Sequence, residues 1–231
     1  ISAMGKKKAA AKGKTPDLPA QGGKAAAKIV SASGNAKTKA AALVPPVTPP
    51  VASAATRGPT PYSNWIVPGH LMMGALPLKP YMVEALLESG ITVFVSLLEE
   101  GEESKNAKPY PDTAREVTAD SARLQFVNLP IPDRRTIDDE PVVGLCDRIL
   151  NWLRKGEVVY VHCYGGHGRS GLVCSLLMTR LFELPGEQAL LLNQQLHDCR
   201  PDVDGIKASS VPSPQTAEQR SQVKRIAERW K

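Results

Sequence analysis

The sequence predicts an α/β domain with a central, mostly parallel sheet flanked by helices on both faces. Short apolar runs alternate along the chain with segments whose apolar residues recur at helical spacing, which is typical of parallel strands joined by crossover helices. The run I-T-V-F-V-S-L-L at 91–98 is apolar on both faces, as expected of a buried parallel strand. The apolar run ending at 162 leads into a glycine-rich loop and then a helical pattern. Such loops lie at the carboxyl edge of a parallel sheet.

Residues 1–57 differ in composition from the rest of the chain. They carry nine lysines and Arg57 against Asp17, a net charge of +9, so the remaining residues sum to −3 within the total of +6. A segment rich in Ala, Lys, Gly and Pro, without aromatic residues, buries too little apolar surface to offset the entropy of ordering it. We therefore predict a disordered basic tail over 1–57, with 1–3 a remnant of recombinant expression, and one domain over 58–231. The tail is expected to be a solvated linker or to contact nucleic acid or another acidic partner.

Cysteine usage and hydropathy bear on the compartment. The four cysteines are irregularly spaced and we identify no signal peptide, which indicates free thiols in a reducing compartment and hence a cytoplasmic and/or nuclear protein. No apolar run approaches the roughly 20 residues of a membrane span, so no transmembrane segment is expected. The sequence leaves the oligomeric state open.

The first half of the domain is predicted to hold a strand pair, two helices and one further strand. Two apolar runs on either side of Pro68-Gly69 are typical of paired strands at a sheet edge. A helix begins at Pro80 and ends before Gly90, and the buried strand 91–98 follows. The acidic run E-E-G-E-E-S-K-N-A-K is expected to be a solvated loop, and D-T-A-R-E-V-T-A-D-S-A a modest helix.

The second half is predicted to alternate strands with longer helices. The run L-Q-F-V-N predicts a strand, and a proline-stiffened loop follows it as far as Asp133. An amphipathic helix is expected over 138–155, and a buried strand over 157–162. Further helices are predicted for S-G-L-V-C-S-L-L-M-T-R-L-F, for G-E-Q-A-L-L-L-N-Q-Q-L-H, and for a last segment that ends near Trp230.

The decapeptide H-C-Y-G-G-H-G-R-S-G at 162–171 is predicted to bind an oxyanion. Gly165, Gly166 and Gly168 allow successive backbone N–H groups to turn inward and form an anion-binding nest, which the positive end of the following helix completes. Arg169 adds a planar fork that can hold two oxygens of one phosphate.

Cys163 is the predicted nucleophile. A thiol at a helix N-terminus beside cationic groups is favoured in its ionised form, so a thiolate is expected at neutral pH. A phosphorus atom held by backbone amides and Arg169 can be attacked in line, giving a cysteinyl-phosphate that water then hydrolyses. Asp133 is the candidate acid for the leaving alcohol or phenol. Asp138 and Asp139 fit helix N-terminal positions instead.

The decapeptide resembles the H-C-x-x-G-x-x-R-[ST]-G signature of the cysteine-based protein tyrosine and dual-specificity phosphatases. Within that family, H-C-Y-G-G-x-G-R-S is similar to the loop of the cyclin-dependent-kinase-associated phosphatase. The resemblance covers roughly residues 62–230. It implies the cysteine-phosphatase fold and hydrolysis of phosphotyrosine in a protein substrate, with phosphoserine and phosphothreonine as further substrates. It also implies that neither a metal nor an organic cofactor is needed.

The resemblance implies a role for each matching residue of the predicted active site. His162 would tune the Cys163 thiolate, and Ser170 would assist hydrolysis of the phospho-cysteine. Asp133 matches the family's general-acid loop as P-I-P-D, while the Trp found there in other family members is replaced.

The segment S-P-Q-T-A-E-Q at 213–219 resembles the glutamine loop of tyrosine phosphatases. In that loop Gln215 would position the hydrolytic water and Gln219 would support it. An ordinary helix start explains the same residues. The expected substrate-binding residues are Tyr164, Gly165, Gly166, His167, Gly168, Arg169 and Gln219.

Two alternative functions stay open. One is a phosphatase for phosphoinositides or other non-protein phosphate monoesters; phosphatases that act on the inositol ring usually place lysines in the loop, where this chain has Tyr164 and His167. A cationic His167, together with Arg134 and Arg135, would still suit additional phosphates. The other alternative is a module that binds phosphoproteins or nucleic acid without turnover.

A metal site is not expected, because the spacing of the nitrogen and sulfur side chains fits no common zinc pattern and Arg169 would repel a cation. The residues concerned are His162, Cys163, His167, His197 and Cys199. Cys146 and Cys174 are predicted to be buried packing residues.

Overall fold

A computed structural model of the chain describes residues 42–43, 45, 47–103, 108–203 and 205–230. Its strands are β1 Ser63–Val67, β2 Leu71–Ala75, β3 Val93–Ser96, β4 Gln125–Asn128 and β5 Val159–Cys163. Its α-helices are α1 Pro80–Glu88, α2 Tyr110–Val117, α3 Asp139–Arg154, α4 Gly168–Leu181, α5 Gly186–Asp198 and α6 Ala217–Glu228.

The strands form one sheet in the order β1-β2-β5-β3-β4. The β1–β2 pair is antiparallel, whereas β2 with β5, β5 with β3 and β3 with β4 are parallel. Parallel neighbours need crossover connections, which α1, α2 and α3 supply. The predicted α/β fold with a mostly parallel sheet and a strand pair at its edge is therefore confirmed.

Two hydrophobic clusters lie on opposite faces of the sheet, because side chains alternate along a strand. Val95 and Val161 point into a larger cluster with side chains from α3, α4, α5 and α6. Their neighbours Phe94 and Tyr160 belong to a smaller cluster with α1 and α2. Helices thus cover both faces, as predicted. None of the helices in the described part of the chain is long and apolar enough to span a membrane.

The carboxyl ends of the central strands meet at one edge of the sheet. Ala75 of β2 is paired with Cys163 of β5, and Ser96 of β3 is paired with His162. The segments that follow these strands therefore leave the sheet side by side, at the position where parallel sheets place their ligands.

The folded unit begins before the predicted boundary at residue 57. The amide of Leu43 donates to the carbonyl of Leu153 at 3.0 Å, and the amide of Val47 donates to Leu181 at 2.8 Å. Both carbonyls lie at the C-terminal ends of helices, where they lack a partner within the helix. The Ala- and Pro-rich composition gives no sign of these contacts. They extend the folded unit to residues before the predicted boundary at 57. Residues 1–41, 44 and 46 of the predicted tail lie outside the described residues.

Asp139 joins the start of α3 to α6. It begins α3, as predicted, and is buried. Its carboxylate accepts hydrogen bonds from Gln222 at 2.9 Å and from two nitrogens of Arg225 at 2.6 and 3.0 Å, and Arg229 lies 3.0 Å away. The hydrogen bonds from Arg225 outweigh burial and hold the pKa of Asp139 below its ordinary value.

We expect Asp139→Asn to lower the free energy of unfolding at pH 7 by about 1–2 kcal/mol, because its arginine partners are half exposed and solvent weakens the pairs. A depressed folded pKa gives stability that is present above the unfolded value and lost as the pH falls through the folded value. Wild type and variant should therefore converge in acid. Urea unfolding at several pH values measures this.

The matched control is Asp147→Asn, which breaks the more exposed pair with Arg180 at 3.2 Å. Its expected cost is below about 1 kcal/mol. Equal losses in the two variants would contradict the role given to Asp139.

Candidate active site

The cysteine loop, residues 164–167 between β5 and α4, lies against the backbone of β2. The amide of Leu76 donates to the carbonyl of Tyr164 at 3.1 Å. Gly166 has φ +74°, in the left-handed region, and a Cβ at this position would lie 2.5 Å from the amide nitrogen of Ala75. Only glycine meets both conditions. The approach to β2 thus fixes where the chain turns from strand to helix.

Cys163 lies at the base of the cysteine loop, with 3% of its surface exposed. Its Sγ is 3.4 Å from Oγ of Ser170, in the first turn of α4. The N-terminus of α4 carries the positive end of the helix dipole, which favours a thiolate and a bound oxyanion alike. The structure therefore brings the predicted nucleophile and the predicted hydroxyl together at a helix end.

Arg169 is buried beneath the same helix end, with 1% of its surface exposed. Its Nη1 donates to the carbonyls of Ile131 at 3.0 Å and Leu97 at 3.4 Å, and its Nη2 donates to Asp133 at 3.1 Å. These bonds fix the plane of the guanidinium. Nε is buried and has no hydrogen-bond partner among the described residues, so it is a donor that can serve an oxyanion.

Glu102 was not predicted to be part of the site. Its two carboxylate oxygens accept from Nη1 and Nη2 of Arg169 at 2.6 and 2.9 Å, a bidentate pair. Burial acts to raise the pKa of Glu102, but hydrogen bonds from Arg169 and from the Glu99 amide outweigh it and lower that pKa. The acidic run was interpreted as solvated loop. The acidic run follows the buried strand β3 at the carboxyl edge of the sheet, and this position is the signal from which a site residue could have been predicted.

Asp133, the predicted general acid, lies beside the guanidinium of Arg169. Its side chain is 63% exposed, so it stands on the rim of the site while Arg169 forms the base. The amide of Arg135 donates to the carbonyl of Pro132 at 3.0 Å, which closes a turn around Asp133. Arg134 and Arg135 are both exposed on this turn. The rim therefore carries Asp133 and two cationic side chains, of which Arg135 lies 3.9 Å from the carboxylate of Glu218.

His162 is fully buried behind Cys163 and is neutral at physiological pH. Its Nε2 is 2.9 Å from the hydroxyl of Tyr110, at the start of α2. Burial, assisted by the charge of Arg169, lowers the pKa of His162 to about 4. Its effect on the cysteine is therefore that of an oriented neutral ring. Tyr110 was not predicted, because no local pattern shows that α2 packs behind β5.

His167 does not supply a cation to the site. Its Nδ1 lies 2.7 Å from Nε2 of His197 on α5. Burial and the nearby charge of Arg200 lower the pKa of His167 to about 4, so the ring is neutral at physiological pH. The expectation that a cationic His167 serves additional phosphates is corrected by this geometry. If His167 contacts the substrate, it does so through its backbone amide, because its ring is paired with His197.

The predicted glutamine loop lies against the cysteine loop. A Cβ added at Gly168 would lie 3.0 Å from Oε1 of both Gln215 and Gln219. Gln219 uses both ends of its amide structurally, accepting from the Thr216 amide at 3.2 Å and donating to the Arg135 carbonyl at 3.2 Å. It therefore supports the turn that carries Asp133, whereas the carbonyl oxygen of the Gln215 side chain lies beside Gly168 at the start of α4.

The remaining predicted substrate-binding residues line the loop itself. Tyr164 is 53% exposed at its rim. Gly165 is packed over the ring of His167, where a Cβ would lie 2.8 Å from Cδ2. The predicted residues that the structure gathers around Cys163 are His162, Tyr164, Gly165, Gly166, Gly168, Arg169, Ser170, Asp133 and Gln215.

The other cysteines lie away from the loop's surface. Cys146 and Cys174 are fully buried, as predicted, and burial raises the pKa of the Cys146 thiol to about 12. Across the part of the chain that the structure describes, no three His, Cys, Asp or Glu side chains converge as ligands for a metal ion.

A protein-family model described as "PTP-SAK: Swiss Army Knife protein, DSP-PTPase phosphatase domain" matches residues 60–223. The chain is also similar to the candidate tyrosine phosphatase 067L of invertebrate iridescent virus 3. The two are 32% identical over 125 residues, which cover 52% of this chain and 48% of the viral protein. The chain spans about half the length of the curated relatives it matches.

Two solved structures show the same fold. Kinase associated phosphatase, with its catalytic-site cysteine replaced by serine, superposes with a TM-score of 0.55 at 22% identity, over 69% of this chain and 86% of the other. PTPMT1 in complex with PI(5)P gives a TM-score of 0.53 at 17% identity, over 74% of this chain and 99% of the other.

The buried histidines predict a pH dependence of stability. Burial lowers the pKa of His162 and His167 to about 4 and that of His197 to about 2, whereas an unfolded histidine titrates near 6.5. Between about pH 4 and 6.5 the unfolded chain binds more protons, so the unfolding free energy rises with pH by up to about 1.4 kcal/mol per pH unit for each histidine.

Urea unfolding between about pH 5 and 7 measures that slope. We expect His197→Gln to reduce the slope by about one third, because one of three buried neutral histidines is removed. A flat profile in the wild type, or an unchanged slope in the variant, would show that these rings are not held neutral by folding.

Proposed function

Because the chain belongs to the DSP-PTPase phosphatase family of the PTP-SAK type, we propose that it is a protein phosphatase acting on phosphotyrosine through a cysteinyl-phosphate intermediate. Phosphoserine and phosphothreonine form the second substrate class to be tested. The observation that carries the proposal is the convergence of Cys163, Ser170 and the Arg169 guanidinium at the N-terminus of α4. Hydrolysis through a cysteinyl-phosphate requires a thiolate that lies next to a site for the phosphate oxygens.

In the first step the Cys163 thiolate attacks phosphorus. A sulfur–phosphorus bond forms and the ester phosphorus–oxygen bond breaks, while Asp133 gives its proton to the departing oxygen. The loop amides and Arg169 Nε stabilise the charge that develops on the equatorial oxygens. Glu102 and the carbonyls of Leu97 and Ile131 keep the guanidinium in its plane.

In the second step water hydrolyses the phospho-cysteine. Gln215 orients the water, and Asp133, now ionised, takes its proton. The phosphorus–sulfur bond breaks, inorganic phosphate leaves, and the hydroxyl of Ser170, 3.4 Å from Sγ, stabilises the departing thiolate. The enzyme returns to its starting state without a cofactor.

A phosphoinositide or other non-protein phosphate monoester is the second candidate substrate. Arg134 and Arg135, exposed on the turn that carries Asp133, favour it because they suit a ligand with more than one phosphate. The loop itself argues against it, since its variable positions hold Tyr164 and the neutral His167 in place of cationic side chains.

The charge of the basic tail and the cysteine content of the domain each support a further proposal. Its net positive charge suits nucleic acid or another acidic partner, and the four free cysteines suit a reducing compartment, cytoplasmic or nuclear. Salt-sensitive binding to RNA or DNA that is lost on deletion of residues 4–41 would support the first. Binding that survives the deletion would contradict it.

We expect turnover of an aryl phosphate and of phosphotyrosine peptides by the wild type, and none above background by Cys163→Ser. The serine hydroxyl is not ionised at neutral pH and is a far weaker nucleophile. Initial rates with matched enzyme concentrations measure this. Turnover that persists in the serine variant would remove Cys163 from the mechanism, and turnover of inositol phosphates alone would favour the second candidate.

We expect Asp133→Asn to slow hydrolysis by about 10²–10⁴-fold for alkyl and phenyl esters with poor leaving groups, and much less for activated aryl esters. Only the poor leaving groups need a proton in the transition state. A series of aryl phosphates of graded leaving-group pKa measures the effect, with Asp112→Asn, at an exposed position of α2, as the matched control. Equal slowing across the series would place the acid elsewhere.

A further inference from the structure

A pair of imidazoles connects the cysteine loop to α5. His197 is fully buried on α5, and its Nε2 lies 2.7 Å from Nδ1 of His167 in the loop. The two ring centroids are 5.0 Å apart at an interplanar angle of 69°. One ring donates and the other accepts, so the hydrogen bond fixes both ring planes.

The ring of His167 lies directly beneath the loop backbone. A Cβ added at Gly165 would lie 2.8 Å from Cδ2 and 3.1 Å from Nε2 of His167. The backbone carbonyl of His167 accepts from the hydroxyl of Ser213 at 2.9 Å, and Asn193 of α5 donates to that hydroxyl at 2.9 Å. His167 is therefore held from α5 at its ring and, through Ser213, at its carbonyl.

We propose that His197 is a positioning residue for phosphoryl transfer: by holding the ring of His167 under Gly165, it keeps the amides of the cysteine loop directed at the oxyanion. The proposal rests on the proposed phosphatase function. His197 itself contacts neither the nucleophile nor the substrate; it acts through His167. Displacing the loop by a fraction of an ångström weakens every amide contact that stabilises the transition state.

The charges around the pair keep it in the neutral form that the hydrogen bond needs. Arg200, buried on the segment after α5, has Nη1 without a partner among the described residues. Burial, the charge of Arg200 and the neighbouring ring lower the pKa of His197 to about 2. Asp198 Oδ1 is 3.6 Å from Nδ1 of His197. A further proton on the pair would place an N–H on both His167 Nδ1 and His197 Nε2, which face each other, and would add a positive charge near Arg200.

Stability alone does not account for two imidazoles at this position. Burying polar rings costs free energy unless every nitrogen is bonded, and Nδ1 of His197 has no hydrogen-bond partner among the described residues. An apolar side chain of similar volume would fill the space without that cost. The hydrogen bond instead specifies one position for the loop, which packing alone would leave less defined.

The test compares His197→Leu, His197→Gln and the control Leu196→Ala. Leucine removes the hydrogen bond at similar volume, whereas the glutamine amide can still reach His167. Leu196 is equally buried on α5, and its truncation costs packing but removes no side-chain hydrogen bond. The measured quantities are kcat and KM for an aryl phosphate and the inhibition constant of vanadate. All assays are run at a temperature at which circular dichroism shows that each variant is folded.

We expect His197→Leu to lower kcat and weaken vanadate binding by roughly tenfold to a hundredfold. His197→Gln should recover to within about threefold of wild type, and Leu196→Ala should lower the melting temperature with little change in kcat. If His197→Leu does not fold, His197→Asn replaces it, because its amide is one methylene too short to reach His167.

Five outcomes are informative. The expected pattern supports the positioning role. Wild-type kcat and vanadate affinity in His197→Leu overturn it, as does an equal loss in Leu196→Ala or a failure of His197→Gln to recover. A wild type that neither turns over the ester nor binds vanadate overturns the phosphatase function itself, and with it the proposal, and this result is distinct from the others.

Discussion

The close approach of the cysteine loop to its neighbours is the constraint on which the rest of the site depends. Gly166 touches the backbone of β2, Gly168 touches the glutamine amides, and a Cβ at Gly171 would lie 2.5 Å from Oγ of Ser213. A side chain at Gly166 would push the loop away from β2, and one at Gly168 or Gly171 would push the start of α4 away from the segment at 213–219. Because the loop amides must converge with the helix dipole to hold an oxyanion, this packing decides the chemistry.

The charges of the site are arranged in two layers. On the rim and base, Arg169 is shared by Glu102 and Asp133, so a single guanidinium contacts both a supporting carboxylate and the carboxylate that we propose as the acid. Beneath the loop, burial keeps His162 and His167 neutral, so the positive charge comes from the arginines and the helix end. The site can therefore attract a phosphate dianion without depending on histidine protonation near neutral pH.

What the sequence could predict follows from how local each contact is. Cys163, Arg169 and Ser170 lie within one strand–loop–helix unit, whose periodicity and glycines are visible in the chain. Glu102 contacts Arg169 across 67 residues of sequence, and Tyr110 contacts His162 across 52. His197 contacts His167 across 30, so all three contacts depend on strand order and helix packing. The neutral state of the histidines depends on burial, which no pattern of residue types measures. Docking of Leu43 was missed because a single apolar residue in an Ala- and Pro-rich segment gives no periodic signal.

The central claim is that the sulfur of Cys163 carries the phosphoryl group during turnover. Rapid acid quench of Ser170→Ala with an aryl phosphate, followed by mass spectrometry of the peptide containing residue 163, tests it most directly, because loss of the hydroxyl slows breakdown of the intermediate. The account predicts a mass increase of one phosphoryl group on Cys163 that appears and decays with turnover. Turnover with no phosphoryl group on Cys163, or with the group on another residue, would contradict it.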